Sequence, residues 1–234
     1  MAEEQWGLVT RQQALGLGVA RRTLDRLTAS EHSLQKVAQG VYRLRGAPPP
    51  DHEDLRAAWL QLAPAVPVWE RVEAQGVVSH RSAADMYGVG HLPEERHEFT
   101  LAERHQPRRP DVRTYRRKLT KTEWHILRGL PVTRPARIVS DLLYDNEDPG
   151  AVAHIITDSL RNVYESPEAV ADVLAAHAGK FGLRRRDGLA LLEWMLDLVG
   201  DPEGGLWISE ARARVGSQFP SAHAPATVGA HQLR

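Results

Sequence analysis

The 234-residue chain contains no cysteine. That absence excludes disulfides, thiolate catalysis and cysteine-based zinc sites together. It fits a cytoplasmic protein, the compartment expected here. No apolar run approaches the roughly 20 residues of a membrane-spanning helix, so no membrane partner is expected. The acidic N-terminus lacks the apolar core of a secretory signal. Net charge is missing too, since 30 basic and 30 acidic residues balance at pH 7. No glycine-rich phosphate loop occurs, and Gly204-Gly205 reads as a turn. The 11 histidines include no helical i, i+4 pair with an acidic partner, the spacing of a zinc enzyme. His91, His97 and His105 only flank a strand, and Ser79 beside His80 is explained as a helix cap. The expectation is no enzyme, no catalytic residue, no metal and no cofactor.

What is present begins at Thr10–Leu44. Ala14, Gly18, Val19, Leu24 and Leu27 follow one another at the steps of a helix-turn-helix. Gly18 falls in the tight turn, where a positive φ is easy only for glycine. Leu24 and Leu27 face inward on the second helix, and Thr10 caps the first. Arg21, Arg22, Thr23 and Arg26 then lie near the N-terminal end of the second helix. In this motif that end enters the major groove, where arginine reads guanine or clamps phosphate. Leu34–Val37 and Val41–Leu44 alternate like strands around the Gln39-Gly40 turn. Two short strands after a recognition helix make a winged helix whose tip can touch the sugar-phosphate backbone. The candidate DNA-binding residues are Arg11, Arg21, Arg22, Thr23, Arg26, Lys36, Gln39 and Arg43. From Thr10 to Arg45 seven basic residues face only Asp25 and Glu31, a local charge of +5. Phosphates respond to that local field, within a Debye length of about 10 Å. A helical pair and hairpin used only for packing or protein contact is the rival reading.

The expected fold class is α+β. An N-terminal winged helix-turn-helix (1–47) precedes a small mixed sheet with helices and a helical C-terminal half (51–215). The tail 216–234 reads as flexible. Pro48-Pro49-Pro50 is the linker, since it continues neither helix nor strand. A lead helix is expected within Glu3–Val9. Further helices are expected over Asp51–Leu62 (capped by Asp51), over Val68–Gln75 with Trp69 and Val72 buried, and from Ser79 to Tyr87. Strands follow at Gly76–Val78, His97–Ala102, Val112–Lys118, Trp124–Leu127 and Leu130–Thr133. Helices come next from Pro135 to Leu143, from Pro149 to Val163, and from Pro167 to His177. A last one, Leu183–Val199, has Arg184-Arg185-Arg186 at its start. Its broad apolar band makes it a core helix or an interface. Strands and helices do not alternate regularly, so a doubly wound sheet is excluded. A second basic surface is expected at Arg108, Arg109, Arg113, Arg116, Arg117 and Lys118. Arg113, Tyr115 and Arg117 alternate on one strand face, so they present either a solvated face or a docking surface for phosphate, RNA or an acidic partner.

The segment Gly7-Leu8-Val9-Thr10…Gln13-Ala14…Gly18-Val19…Arg22-Thr23-Leu24…Leu27, closing with Val37…Gly40-Val41-Tyr42-Arg43-Leu44, resembles the winged-helix domain of AbiEi-type antitoxins. The runs Val77-Val78-Ser79-His80-Arg81-Ser82-Ala83-Ala84 and Gly129-Leu130-Pro131-Val132-Thr133-Arg134-Pro135-Ala136-Arg137 resemble the middle region of the same proteins. The resemblance covers residues 7–163. It implies a bacterial regulator of a type IV toxin–antitoxin system. Such proteins repress their own operon by binding inverted repeats in double-stranded DNA, and they counteract a nucleotidyltransferase-like toxin. By resemblance, recognition falls on Arg21, Arg22, Thr23 and Arg26, and wing contacts on Gln39 and Arg43. Some similar proteins end in a nuclease-like domain. This C-terminus has no Glu-x-Lys cluster, so that activity is not carried over. An orphan regulator without a toxin, or an RNA-binding or protein-interaction module, is the alternative. A monomer on each half of the repeat and a dimer bridging both are equally compatible with the sequence.

Overall fold

The computed structural model describes residues 2–29, 33–104, 106 and 109–217. The fold is mixed α+β, with two small sheets and helices. The first sheet joins β1 (Leu8–Thr10), β2 (Leu34–Ala38) and β3 (Val41–Leu44) in the antiparallel order β1-β3-β2. Two helices, α1 (Arg11–Gly16) and α2 (Arg21–Ala29), connect β1 to β2. The expected lead helix is only a 3-10 turn, Glu3–Gln5, and Leu8–Thr10 is strand. Pairing of Leu8, Val9 and Thr10 with Arg43, Tyr42 and Val41 overrides the local helical pattern.

Register divides this sheet into two faces. Val9 pairs with Tyr42, and Lys36 also pairs with Tyr42. Val9, Leu34 and Tyr42 bury against Ala14 and Leu24 in a small core. The opposite face carries Leu8 and Val41, which belong to the main core. Against it lies α3 (Glu53–Leu62), whose residues 55–60 are all buried. A helix buried all round must be covered on two sides, and α3 lies between the two sheets. Its cap is His52 with a left-handed φ of 51°, not Asp51. The Asp51 carbonyl instead accepts from Arg56 Nε at 2.8 Å.

The expected helix at 68–75 is two 3-10 turns, Val68–Glu70 and Glu73–Gln75, with Trp69 and Val72 more than half exposed. Arg71 explains the break. Its guanidinium donates to the carbonyls of Trp59, Leu60 and Ala63 and stacks 4.2 Å from the Trp59 ring. Those contacts hold the chain extended where a helix would turn away.

The second sheet has the order β6-β5-β4-β8-β7 and is mixed. It contains β4 (Val77–Val78), β5 (His97–Leu101), β6 (Val112–Arg116), β7 (Trp124–Leu127) and β8 (Leu130–Thr133). Pairs β4–β8 and β5–β6 are parallel; β4–β5 and β7–β8 are antiparallel. On it packs α4 (His80–Tyr87), and α5 (Pro135–Tyr144) lies against α4, followed by α6 (Pro149–Arg161), α7 (Pro167–Leu174), α8 (Gly188–Leu198) and α9 (Gly204–Ser217). Asp148 and Ser166 cap α6 and α7 through their side chains.

Two expectations fail here. Helix α8 starts at Gly188 behind the Asp187 cap, so Arg184-Arg185-Arg186 lie in the preceding turn. That removes the conflict between three arginines and a helix N-terminus. Gly204 and Gly205 are not a turn but the first residues of α9, whose Ile208 and Ala211 are buried. Helix α9 also runs through Gly216 and Ser217. The rest of the expected tail, 218–234, lies outside the described residues.

Candidate nucleic-acid interface

Thr10 leaves β1 in an extended conformation and opens α1. Its hydroxyl accepts from Gln13 N while Gln13 Oε1 accepts from Thr10 N, a reciprocal capping box. Gly18 then turns the chain with φ +86°, where a side chain would be strained. Val19 N closes the turn onto Ala14 O at 3.1 Å. Leu24 is 1% exposed and anchors α2, with Leu27 half-buried beside it. This leaves Arg21, Arg22, Asp25 and Arg26 on the solvent side, and Thr23 at its margin. The three arginines form no ion pair among the described residues. Asp25 is neutralised from the neighbouring helix, because Arg11 Nη1 sits 2.9 Å from its carboxylate. Lys36 is exposed on the same side of the sheet as α2.

Three sequence expectations change in this region. Arg11 is engaged with Asp25, so its charge is offset within the surface it was expected to extend. Arg43 lies on the opposite face of its strand. There it meets Glu53 at 2.8 Å and Gln35 at 2.7 Å, and only 12% of its side chain is exposed. Alternation along a strand sends neighbouring side chains to opposite faces, so Arg43 cannot share the surface of α2. The hairpin tip is also tied down. Gly40 O accepts from Arg11 N at 2.8 Å, and Gln39 O accepts from Gln61 Nε2 at 2.7 Å. Of the tip only the Gln39 side chain is exposed.

The expected second basic surface is not one surface. Arg108 lies outside the described residues. Arg109 forms a bidentate pair with Asp111 and also meets Gln61. Arg113 contacts Asp145 and Glu98 and covers the Tyr115 ring. Arg117 reaches Asp141 at 3.5 Å and stacks on Tyr144. The alternation of Arg113, Tyr115 and Arg117 is real, but that strand face turns toward acids of β5 and α5. Arg116 and Lys118 are exposed.

Those pairings frame a polar cleft of about 300 Å³ that sequence reasoning missed, lined by Arg81, Glu98, Arg113, Tyr115, Asp145 and Glu147 among others. Ser79 occupies the cap position of α4 without a side-chain cap bond. Its hydroxyl instead accepts from Thr100 Oγ1 and meets His80 Nδ1, both at 2.9 Å. The cap comes from β5. Glu98 Oε2 accepts from Arg81 N at 2.8 Å, and Ser82 Oγ accepts from Glu98 N at 2.9 Å. Tyr115 donates to the other carboxylate oxygen at 2.7 Å. Burial pushes the Glu98 carboxyl above the usual range against these donors. His80 stacks on Tyr115 with ring centroids 3.5 Å apart. Burial, then Arg113, Arg137 and Arg117, press its pKa down to about 3. Both Glu98 oxygens therefore hold structure together, and His80 is neutral. Nothing in the local sequence signals this cap, because Glu98 is 17 residues from the helix it serves. Among the described residues no three His, Asp or Glu side chains could hold a metal ion. No helix of the described residues is long and apolar enough to cross a membrane.

No protein-family model matches the chain, and a search of curated proteins finds none similar to it.

Proposed function

We propose that this protein is a winged-helix, DNA-binding transcriptional autorepressor and the antitoxin of a type IV, AbiE-like toxin–antitoxin system. It binds inverted repeats in its own promoter and counteracts a nucleotidyltransferase-like toxin. In this reading it works in the cytoplasm, without catalysis or cofactor. The observation that carries the reading is the exposed face of α2, where Arg21, Arg22 and Arg26 stand on a buried leucine anchor and form no ion pair among the described residues. Element order supports it as well: strand, two helices and a hairpin, with sheet order β1-β3-β2, is how a winged helix is wound. The rival RNA-binding or interaction reading needed Arg113–Lys118 as a free basic face, and two of those arginines are engaged inside the fold. The antitoxin role rests on the family resemblance alone, and an adjacent toxin gene is its direct check.

The experiment is a gel-shift titration on the promoter upstream of its own gene, against scrambled DNA, at two salt concentrations. Selective binding that weakens steeply with salt is expected, because phosphate contacts release counterions. Arg22→Ala should weaken it by about 1–3 kcal/mol if that residue reads a base. Equal, weak binding to both DNAs would overturn the proposal.

A further inference from the structure

Helix α8 leaves one face uncovered among the described residues. Its buried leucines and Met195 fill the core, yet Trp194 is 38% exposed and Leu198 49%. At 3.6 residues per turn, Ala190, Trp194, Asp197 and Leu198 fall within about 100° of arc, so they share that face. A groove of about 670 Å³ extends it toward α6, with Leu92, Pro149 and Val199 among its walls. An exposed tryptophan and leucine one turn apart, beside an apolar groove, mark an interaction surface. Charge is uneven along the same helix. Arg184, Arg185 and Arg186 precede it, all exposed and in no ion pair among the described residues. Asp197, in its last turn, is exposed and also in no ion pair among the described residues. The surface is therefore basic at one end, apolar in the middle and acidic at the other end.

Such a surface complements itself when a second copy is turned end for end. We propose that two copies of this chain pair antiparallel along α8, about a two-fold axis near residue 192. Trp194 then lies over the small Ala190 of the partner subunit, and each arginine turn meets the partner's Asp197. The midpoints of these two pairings, 190 with 194 and 186 with 197, coincide within one residue. The large-over-small contact and the ion pairs therefore form in the same register. The negative end of the partner's α8 dipole adds to the attraction for the arginines. A parallel pairing sets arginine turn against arginine turn and Asp197 against Asp197, so charge selects the antiparallel form. The contact is isologous and closes at two copies. That is the symmetry of the inverted repeat proposed above.

The test is sedimentation velocity on the full chain, without DNA, from about 1 to 200 µM, the range for a small and partly polar interface. The parent should pass from monomer to dimer within it. Leu198→Asp puts an unpaired carboxylate in the contact and should weaken association by about 10-fold or more. Asp197→Arg and Arg186→Asp each set like charges against one another and should weaken it by about 3- to 10-fold. Aspartate tolerates the left-handed φ of 66° at residue 186, and all three sites are exposed, so thermal midpoints should stay close to the parent's. An equimolar mixture of Asp197→Arg and Arg186→Asp should dimerise as the parent does, because the arginines of one variant face the aspartates of the other at both ends. A parent that stays monomeric throughout would overturn the pairing and leave the face to a partner other than this chain. Leu198→Asp associating like the parent, or a mixture no tighter than either charge variant alone, would overturn it too. No DNA is present, so none of these failures touches the DNA-binding reading of α2.

Discussion

Replacing Gly188 by alanine should loosen the helical half of the molecule. A Cβ built there would lie 1.9 Å from Ala171 O, 2.8 Å from Ala175 N and 2.9 Å from Ala171 C, all backbone atoms of α7 and its end. No rotamer change can relieve a clash with backbone. The start of α8 would have to retreat by about 1.5 Å, the gap between 1.9 Å and an ordinary contact of 3.4 Å or more. Helix α8 carries Leu191, Leu192, Met195 and Leu196 into the core, each 1% exposed or less. Overpacking of this kind costs about 1–3 kcal/mol and more when only backbone can yield. The better helix propensity of alanine returns less than about 1 kcal/mol at a first-turn position. The net loss should be about 2–4 kcal/mol, or roughly 5–12 °C in Tm for a chain of this size. Gly205→Ala is the matched control. It also lies in a first turn, and a Cβ there meets nothing within 4 Å. It should leave Tm unchanged or raise it slightly. Scanning calorimetry or circular dichroism melts of the two variants decide the matter. A Gly188→Ala protein that melts with the parent would refute the close approach of α7 and α8.

Arg43→Ala should separate stability from binding, because Arg43 joins the hairpin to Glu53 on α3 and faces away from α2. A loss of about 1–2 kcal/mol in urea unfolding is expected, with DNA affinity kept; a selective loss of affinity would restore Arg43 to the interface. Thr10→Ala removes the capping hydroxyl of α1 and should cost about 1 kcal/mol, read as a lower urea midpoint at constant m-value. His80 should give acid sensitivity. Its pKa is near 3 in the fold and 6.5 when free, so between those values the unfolded chain binds the extra proton. Stability is therefore lost as pH falls from 6.5 toward 3. Glu98 and Asp141, whose carboxyls burial raises, act in the opposite sense. The comparison is consequently His80→Gln against the parent from pH 7 to pH 4, where the variant should show the shallower fall in Tm; parallel curves would contradict a neutral, buried His80.

Local rules made much of this fold legible. The Thr10 cap and the Gly18 turn, with Leu24 two positions beyond the basic pair Arg21-Arg22, are short-range features of composition and spacing. Asp148-Pro149 and Ser166-Pro167 announced two helices for the same reason: an acceptor at the cap and a proline in the first turn. What failed was set by distant partners. Gly204-Gly205 has poor helix propensity, yet α9 forms there because Ile208 and Ala211 find a buried seat against α7 and α8. Val68–Gln75 has a helical pattern, but Arg71 needs three carbonyls of α3 and the turn after it.

The candidate interface divides along the same line. Sequence alone determined that a basic helix with one apolar edge follows a glycine turn, because periodicity sorts Leu24 from Arg22 and Arg26. Only tertiary structure decided which arginines remain free. Strand register turned Arg43 toward Glu53, and sheet order brought β6 beside β5 and under α5, engaging Arg113 and Arg117 with Glu98, Asp145 and Asp141. Charge is a property of residues, but its availability depends on which carboxylates the chain folds to within a few ångströms.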